Sequence, residues 1–276
     1  MPLKSKYRLG KAYKILFAIL TPLAIISLIS SISIFKYLNS KEDTVFNIAE
    51  IDINSLDMNA DFYHYYKIGY KTVIGVDLSE HNKDVDFVKL KDQGIEFAIL
   101  RIGWRGYADP ILHLDNRFEE YYTKAKEVGI KVGVYFFSQA INEREAIEEA
   151  QFVLDNLKDK PIDMYIAYDC ESIDNDIART DDLTKKQATL DAFAFLDTIS
   201  NAGYNPILYT NYSWIKKYYE TKLLNSYPIW FAQYSRNPQY KGNHIIWQYD
   251  SGAVVDGVSG EDGVDLNLMI IKEDIN

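Results

Sequence analysis

The stretch MYIAYDCES, residues 164–172, decides how this chain folds. Its first half is a short apolar run of β-forming residues. Segments of helical period flank it, EREAIEEAQFVLDNLK (143–158) before and LTKKQATLDAFAFLDTISNAG (183–203) after. A strand between two amphipathic helices is the repeating piece of a parallel α/β sheet. The second half of the stretch poses a question. Asp169 and Glu171 are separated by one residue at the end of the run, and strand residues i and i+2 share a face, about 6.6 Å apart. A buried, unpaired carboxylate is costly or titrates to its neutral form. Either something pairs the two acids, or the cost is kept because they do chemistry.

Working outward, the alternation recurs. TVIGVDL (72–78), FAILRIG (97–103), KVGVYFF (131–137) and PILYTN (206–211) have the character of strands, and VDFVKLKDQG (85–94), NRFEEYYTKAKEVG (116–129) and SWIKKYYETK (213–222) that of helices. Several of the helices stop at glycine. After these five β/α units the helical period ends. YPIWFAQY (227–234), HIIWQY (244–249) and VDLNLMI (264–270) follow as three strand-like runs joined by short loops. Eight strands predict an α/β fold, a TIM-like barrel with five β/α units followed by three strands lacking helices. An open doubly wound sheet is the alternative, but no G-x-G-x-x-G follows the first strand.

In parallel α/β folds the site lies at the C-terminal ends of the strands. The eight runs carry there, in order, Asp77 and Ser79; Arg101 and Trp104; Tyr135 and Phe137; Asp169 and Glu171; Tyr209 and Asn211; Gln233 and Tyr234; Trp247, Gln248 and Tyr249; and, on the last run, Asp265 and Asn267. Four carboxylates and several aromatics would converge on one mouth. Aromatic faces cover the apolar faces of a pyranose, and a glycosidase needs one carboxyl protonated and a second ionised. Neighbouring carboxylates push each other's pKa values apart, which separates those roles.

Each residue also has a structural reading. Asp77 could be a turn residue or helix cap, Asp265 a loop acid, and Arg101 the counter-ion of a buried carboxylate. Trp247 and Tyr135 could be core. Cys170 is the one cysteine, so no intrachain disulfide forms; pointing away from its neighbours, it fits a small core position. The four histidines show no triad or metal spacing. No G-x-S-x-G supports a serine hydrolase.

The N-terminus has a different composition. Residues 1–14 carry five basic side chains and no acid, and Ile15–Phe35 runs 21 residues without a charge. That is long enough for a bilayer-spanning helix and longer than the apolar core of a cleaved signal peptide, the rival reading. The expected order is a basic cytoplasmic tail (1–14), a transmembrane signal anchor (15–35), a polar, tyrosine-containing stalk (36–72) and an external domain (73–276). The positive flank sets this orientation. Residues 41–276 carry 24 basic and 40 acidic side chains, net −16, which argues against a nucleic-acid partner.

Taken in order, GVDLSEHN, FAILRIGWRGY, GIKVGVYFFSQA, the DCE of YDCES, YTN, YPIWFAQY, WQY and GVDLN resemble glycoside hydrolase family 25, the muramidase-type lysozymes, over about residues 73–272. The resemblance implies a barrel of five β/α units and three further strands. It implies hydrolysis, without a cofactor or metal, of the β-1,4 bond between N-acetylmuramic acid and N-acetylglucosamine in peptidoglycan glycan strands. Carried over by motif, Glu171 is the general acid, Asp169 steers the substrate's acetamido group or acts more directly, and Asp77 and Asp265 are the other two site acids. Arg101, Tyr135, Phe137, Tyr209, Asn211, Gln233, Trp247 and Tyr249 are expected at the sugar groove. The chain would be a membrane-anchored muramidase facing the cell wall. The other classes are a wall-binding module without turnover and a glycosidase for another N-acetylhexosamine polymer.

Overall fold

The computed structural model describes residues 44–173, 177–236, 238–260 and 263–273. Eight strands close on themselves: β4 (Tyr70–Leu78), β5 (Ile95–Arg105), β7 (Lys131–Phe137), β8 (Ile166–Asp169), β9 (Pro206–Asn211), β10 (Ile229–Ala232), β11 (Ile246–Ala253) and β12 (Val264–Lys272) neighbour one another in that order, and β12 returns to β4. All pairings are parallel except those of β12, which runs antiparallel to both neighbours. Helices follow the first five: α1 (Phe87–Asp92), α2 (Phe118–Glu127), α3 (Glu143–Asn156), α4 (Lys185–Asn201), and the short pair α5 (Tyr212–Lys217) and α6 (Thr221–Leu224). Among the described residues, no helix follows the last three barrel strands. The eight expected strands are all present, with bounds shifted by a few residues. The expected helix over 213–222 is two helices. A short strand β6 (Leu112–Leu114), which the apolar pattern did not signal, folds back on β5 as a hairpin.

The pleat sorts side chains into two cores. Phe97, Ile99, Ala167, Ile207, Tyr209, Trp230 and Met269 fill the lumen. Their alternates, such as Leu100, Tyr168, Leu208, Phe231 and Leu268, pack into the outer core. With both faces buried, these strands have the continuous apolar run of a barrel wall. Cys170 packs in the outer core, as its position between two acids predicts.

The segment expected as a stalk, 36–72, divides at Thr44. Residues 36–43 lie outside the described residues, but Thr44–Asn276 is one compact unit. β1 (Thr44–Val45) pairs with β12 at Thr44↔Lys272, and Phe46 N–H donates to Ile270 O at 2.8 Å. The 3₁₀ turns Ile48–Glu50 and Ile53–Ser55 lead into the ribbon of β2 (Leu56–Asp57) and β3 (His64–Tyr65). Ile48, Leu56 and Tyr65 are buried in the outer core, and the Tyr63 ring stacks on Tyr249 at 4.1 Å. The reason is physical: strands without helices leave an apolar outer face, and this segment covers part of it. The expected span over Ile15–Phe35 lies outside the described residues. Among the described residues no helix is long and apolar enough to cross a membrane.

Candidate active site

The reversed direction of β12 builds one side of the site. It brings the start of β12 to the end of β4, so that Asp265 and Asp77 are register partners on the inward face. Two residues below Asp77, Gly75 leaves room for the ring of Phe97; a Cβ there would lie 2.3 Å from that ring. Across the barrel, Asp169 ends β8 between Phe137 and Tyr209, its register partners on the adjoining strands. Glu171 follows two residues later and is half-buried. Its charge acts on Asp77, Asp169, Tyr209 and Tyr234, which sets it over the same mouth. All four expected acids therefore converge.

Amide groups connect the first pair. Gln248 Nε2 donates to Asp77 Oδ2 at 2.8 Å and to Asp265 Oδ2 at 3.0 Å, and Asn267 Nδ2 donates to Asp77 Oδ2 at 2.8 Å. Trp230 Nε1 donates to Asn267 Oδ1 at 2.7 Å. Burial pushes Asp77 up to about 7, against the pull of the Asn267 and Gln248 bonds, and Glu171 pushes it further. Burial, then Asp77 and Asp250, push Asp265 up to about 8. Asp169 lies well above the usual carboxylate range because of its burial, then the charges of Glu171 and Asp77; Arg101 works the other way. Its Oδ1 is buried and, among the described residues, has no hydrogen-bond partner. Three acids held above the usual carboxylate range beside a fourth can supply protons or negative charge at one point, the pattern of an acid–base site.

The remaining expected residues divide. Tyr135, Phe137 and Tyr209 stand on the inward face, with Tyr135 and Tyr209 both packed edge-on against Trp230. Arg101 reaches the mouth, but its guanidinium is engaged by Asp115 Oδ2 at 2.7 Å and Glu80 Oε1 at 3.1 Å and lies over the Trp104 ring. The Asn211 carboxamide caps α5, accepting from Trp214 N–H at 3.0 Å. Gln233 turns outward: its Oε1 accepts from Gln239 N–H and its carbonyl accepts from Trp247 Nε1. Trp247 and Tyr249 belong to the outer core, near Tyr63, not to the groove. The pleat explains this, since the lumen takes Ile246 and Gln248, and their alternates must point out.

One known sequence pattern covers most of this barrel. The profile described as Glycosyl hydrolases family 25 matches residues 76–258. The chain belongs to glycoside hydrolase family 25. The family match contains Asp77, Asp169, Glu171 and Gln248; Asp265 lies just beyond it and joins the site through its pairing with β4. Among family relatives, the chain is 23% identical over 193 residues to the autolytic lysozyme of Clostridium acetobutylicum, covering 69% of this chain and 54% of that protein. Its fold resembles that of the modular autolysin LytC from Streptococcus pneumoniae in complex with synthetic peptidoglycan ligand, with TM-score 0.64 and 20% identity over 78% of this chain and 52% of that one. It also resembles the Clostridium perfringens spore cortex lytic enzyme SleM, with TM-score 0.60 and 25% identity over 71% and 67% of the two chains. The chain thus spans about half the length of the first two.

Within this family-25 site stand Gln248, Asn267 and Tyr234, which the strand-end reading names but the expected acids and sugar groove leave out, and Trp230, which it does not name. The signal was available for two of them. Asn267 shares the face of Asp265 by the i, i+2 rule, and Gln248 sits between two aromatics of the opposite face.

Proposed function

We propose that the chain is a muramidase that hydrolyses the β-1,4 bond between N-acetylmuramic acid and N-acetylglucosamine in peptidoglycan. The observation that carries this reading is the convergence of Asp77, Asp169, Glu171 and Asp265 at one aromatic-walled mouth. Membership of family 25 supports glycosidic cleavage, and the autolytic lysozyme and LytC relatives support peptidoglycan as the substrate class.

In this reading Glu171 protonates the leaving glycosidic oxygen. Asp169 Oδ1, a buried acceptor without a partner among the described residues, receives the N–H of the substrate's acetamido group and steadies positive charge as that group assists at the anomeric carbon. Asp77 and Asp265 supply negative potential opposite the oxocarbenium-like transition state, and Tyr135, Phe137 and Tyr209 flank the sugar. Water completes the hydrolysis, and the chemistry calls for no cofactor. The basic tail and uncharged run Ile15–Phe35 support a single-pass anchor with the barrel on the wall side, so that cutting stays local.

The test is product analysis of purified peptidoglycan incubated with the full chain. The reading predicts N-acetylmuramic acid at the new reducing ends, and loss of that product with Glu171→Gln. N-acetylglucosamine at the new reducing ends, or binding without cleavage, would contradict it. For the anchor, deleting residues 1–35 should move the protein from the membrane fraction to the soluble one; unchanged membrane association would refute it.

A further inference from the structure

We propose that Gln248 is a positioning residue that holds Asp77 and Asp265 in place and keeps this pair able to ionise in front of Glu171. The proposal rests on the muramidase reading for its kinetic consequence but not for its geometry.

Gln248 is buried on the inward face of β11, and all four of its hydrogen-bonding capacities are used. Its two N–H bonds go to Asp77 Oδ2 and Asp265 Oδ2. Its Oε1 accepts from Tyr209 O–H at 3.0 Å and Tyr234 O–H at 2.9 Å. Turning the amide over would set its oxygen against two carboxylates, so these partners fix its orientation. Asn267, the second donor to Asp77 Oδ2, is fixed in the same way by Trp230.

The charges around the pair explain why donors are needed. Asp77 on β4 and Asp265 on β12 face each other, Asp250 on β11 adds to the charge at Asp265, and Glu171 and Asp169 approach from β8. Arg101 on β5 acts on Asp169 and Tyr135, but its hydrogen bonds go to Asp115 and Glu80. Tyr135, Tyr209 and Tyr234 bring no positive charge. Like-charged acids at adjacent, half-buried positions tend to share one proton. An amide N–H can donate only, so it favours the ionised form of whichever oxygen it meets. Gln248 and Asn267 thus oppose the effect of burial. Tyr234 is half exposed, so the chain of bonds runs from the rim of the groove through Gln248 to both acids.

The full chain is compared with Gln248→Met, which removes both donors, and with Gln248→Glu, which keeps the shape but offers at most one hydrogen. Two readouts are taken: kcat/KM against pH on purified peptidoglycan, and carboxyl titration by ¹³C NMR of aspartate-labelled protein without substrate. Losing the donors raises the pKa of the pair, so the acidic limb of kcat/KM and the carboxyl midpoints should both move up by about one pH unit, roughly a tenfold loss of rate on that limb. If the Met variant does not fold, Gln248→Asn, uncharged and one methylene shorter, decides in its place. Profiles and titrations that superimpose on wild type, whatever the overall activity, would overturn the proposal. A wild-type chain that releases no muramic-acid reducing ends would remove the functional reading, and the carboxyl titration would still decide the role of Gln248.

Discussion

Two sets of acids lie on opposite faces of the same barrel wall, the inner one made of buried Asp169 and half-buried Asp77 and Asp265. Outside, Glu149 of α3 is fully buried, and burial pushes it up to about 7, much as it does Asp77 within. The partners differ. Glu149 receives Arg105 Nε at 2.8 Å, Ser138 Oγ at 2.6 Å and Gln139 N–H at 3.3 Å. Its neighbour Glu145 receives Arg179 at 2.9 Å. Inside, among the described residues, no lysine or arginine forms an ion pair with Asp77, Asp169 or Asp265. Amides and the acids' own neighbours hold them. An acid matched by a guanidinium belongs to the fold, since removing either partner leaves a buried charge. Acids gathered without a cation cost stability, and the return is reactivity.

The comparison can be broken in order of expected effect. Glu171→Gln should lower kcat on peptidoglycan by about 10²–10⁴-fold with little change in thermal unfolding; retained turnover would remove Glu171 from its role. Glu149→Leu takes from Arg105 its buried counter-charge, leaving only the half-exposed Glu148 at 3.4 Å, and should cost about 3–5 kcal/mol in urea unfolding. The pH profile of the protein that remains folded should not move, and a displaced profile would mean that the outer network reaches the chemistry. Asn211→Ala removes the α5 cap and should cost about 1 kcal/mol, with KM unchanged. A rise in KM that a better cap elsewhere restores would still be an effect of the cap; a rise that persists would return Asn211 to the groove.

The sequence made the four acids legible because each lies at a strand end, and three of them follow from a simple i, i+2 or end-of-run rule. The strand order was legible because helical and strand periods alternate. The phase of the seventh strand was not. In HIIWQY both faces are buried, so hydrophobicity does not tell lumen from outer core, and the aromatics Trp247 and Tyr249 were assigned to the groove in place of Gln248. The segment from Thr44 to Leu56 shows no helical or alternating period. Its role as cover for the last strands depends on a surface formed by residues some 200 positions away, such as His244, whose carbonyl accepts from Ile48 N–H. The capping role of Asn211 was hidden for a different reason: its inward strand parity competes with the start of a helix at Tyr212, and the helix takes the side chain.

The most direct measurement is the stability of Asp77→Asn against pH, taken beside its turnover. The Asp77 pKa is higher in the folded chain, about 7, than its ordinary value of 3.8. Its proton is therefore held more tightly when folded, and the stability this contributes is complete below about pH 4 and lost as pH rises through 7. Asparagine does not titrate and still offers an acceptor to Asn267 and Gln248. The account predicts that Asp77→Asn is more stable than wild type at pH 8 by about 1–3 kcal/mol, loses that advantage toward pH 4, and turns over peptidoglycan far more slowly. A variant that is less stable at pH 8, as Glu149→Leu should be, and that keeps its activity would show that the acids of the mouth serve the fold and not the chemistry.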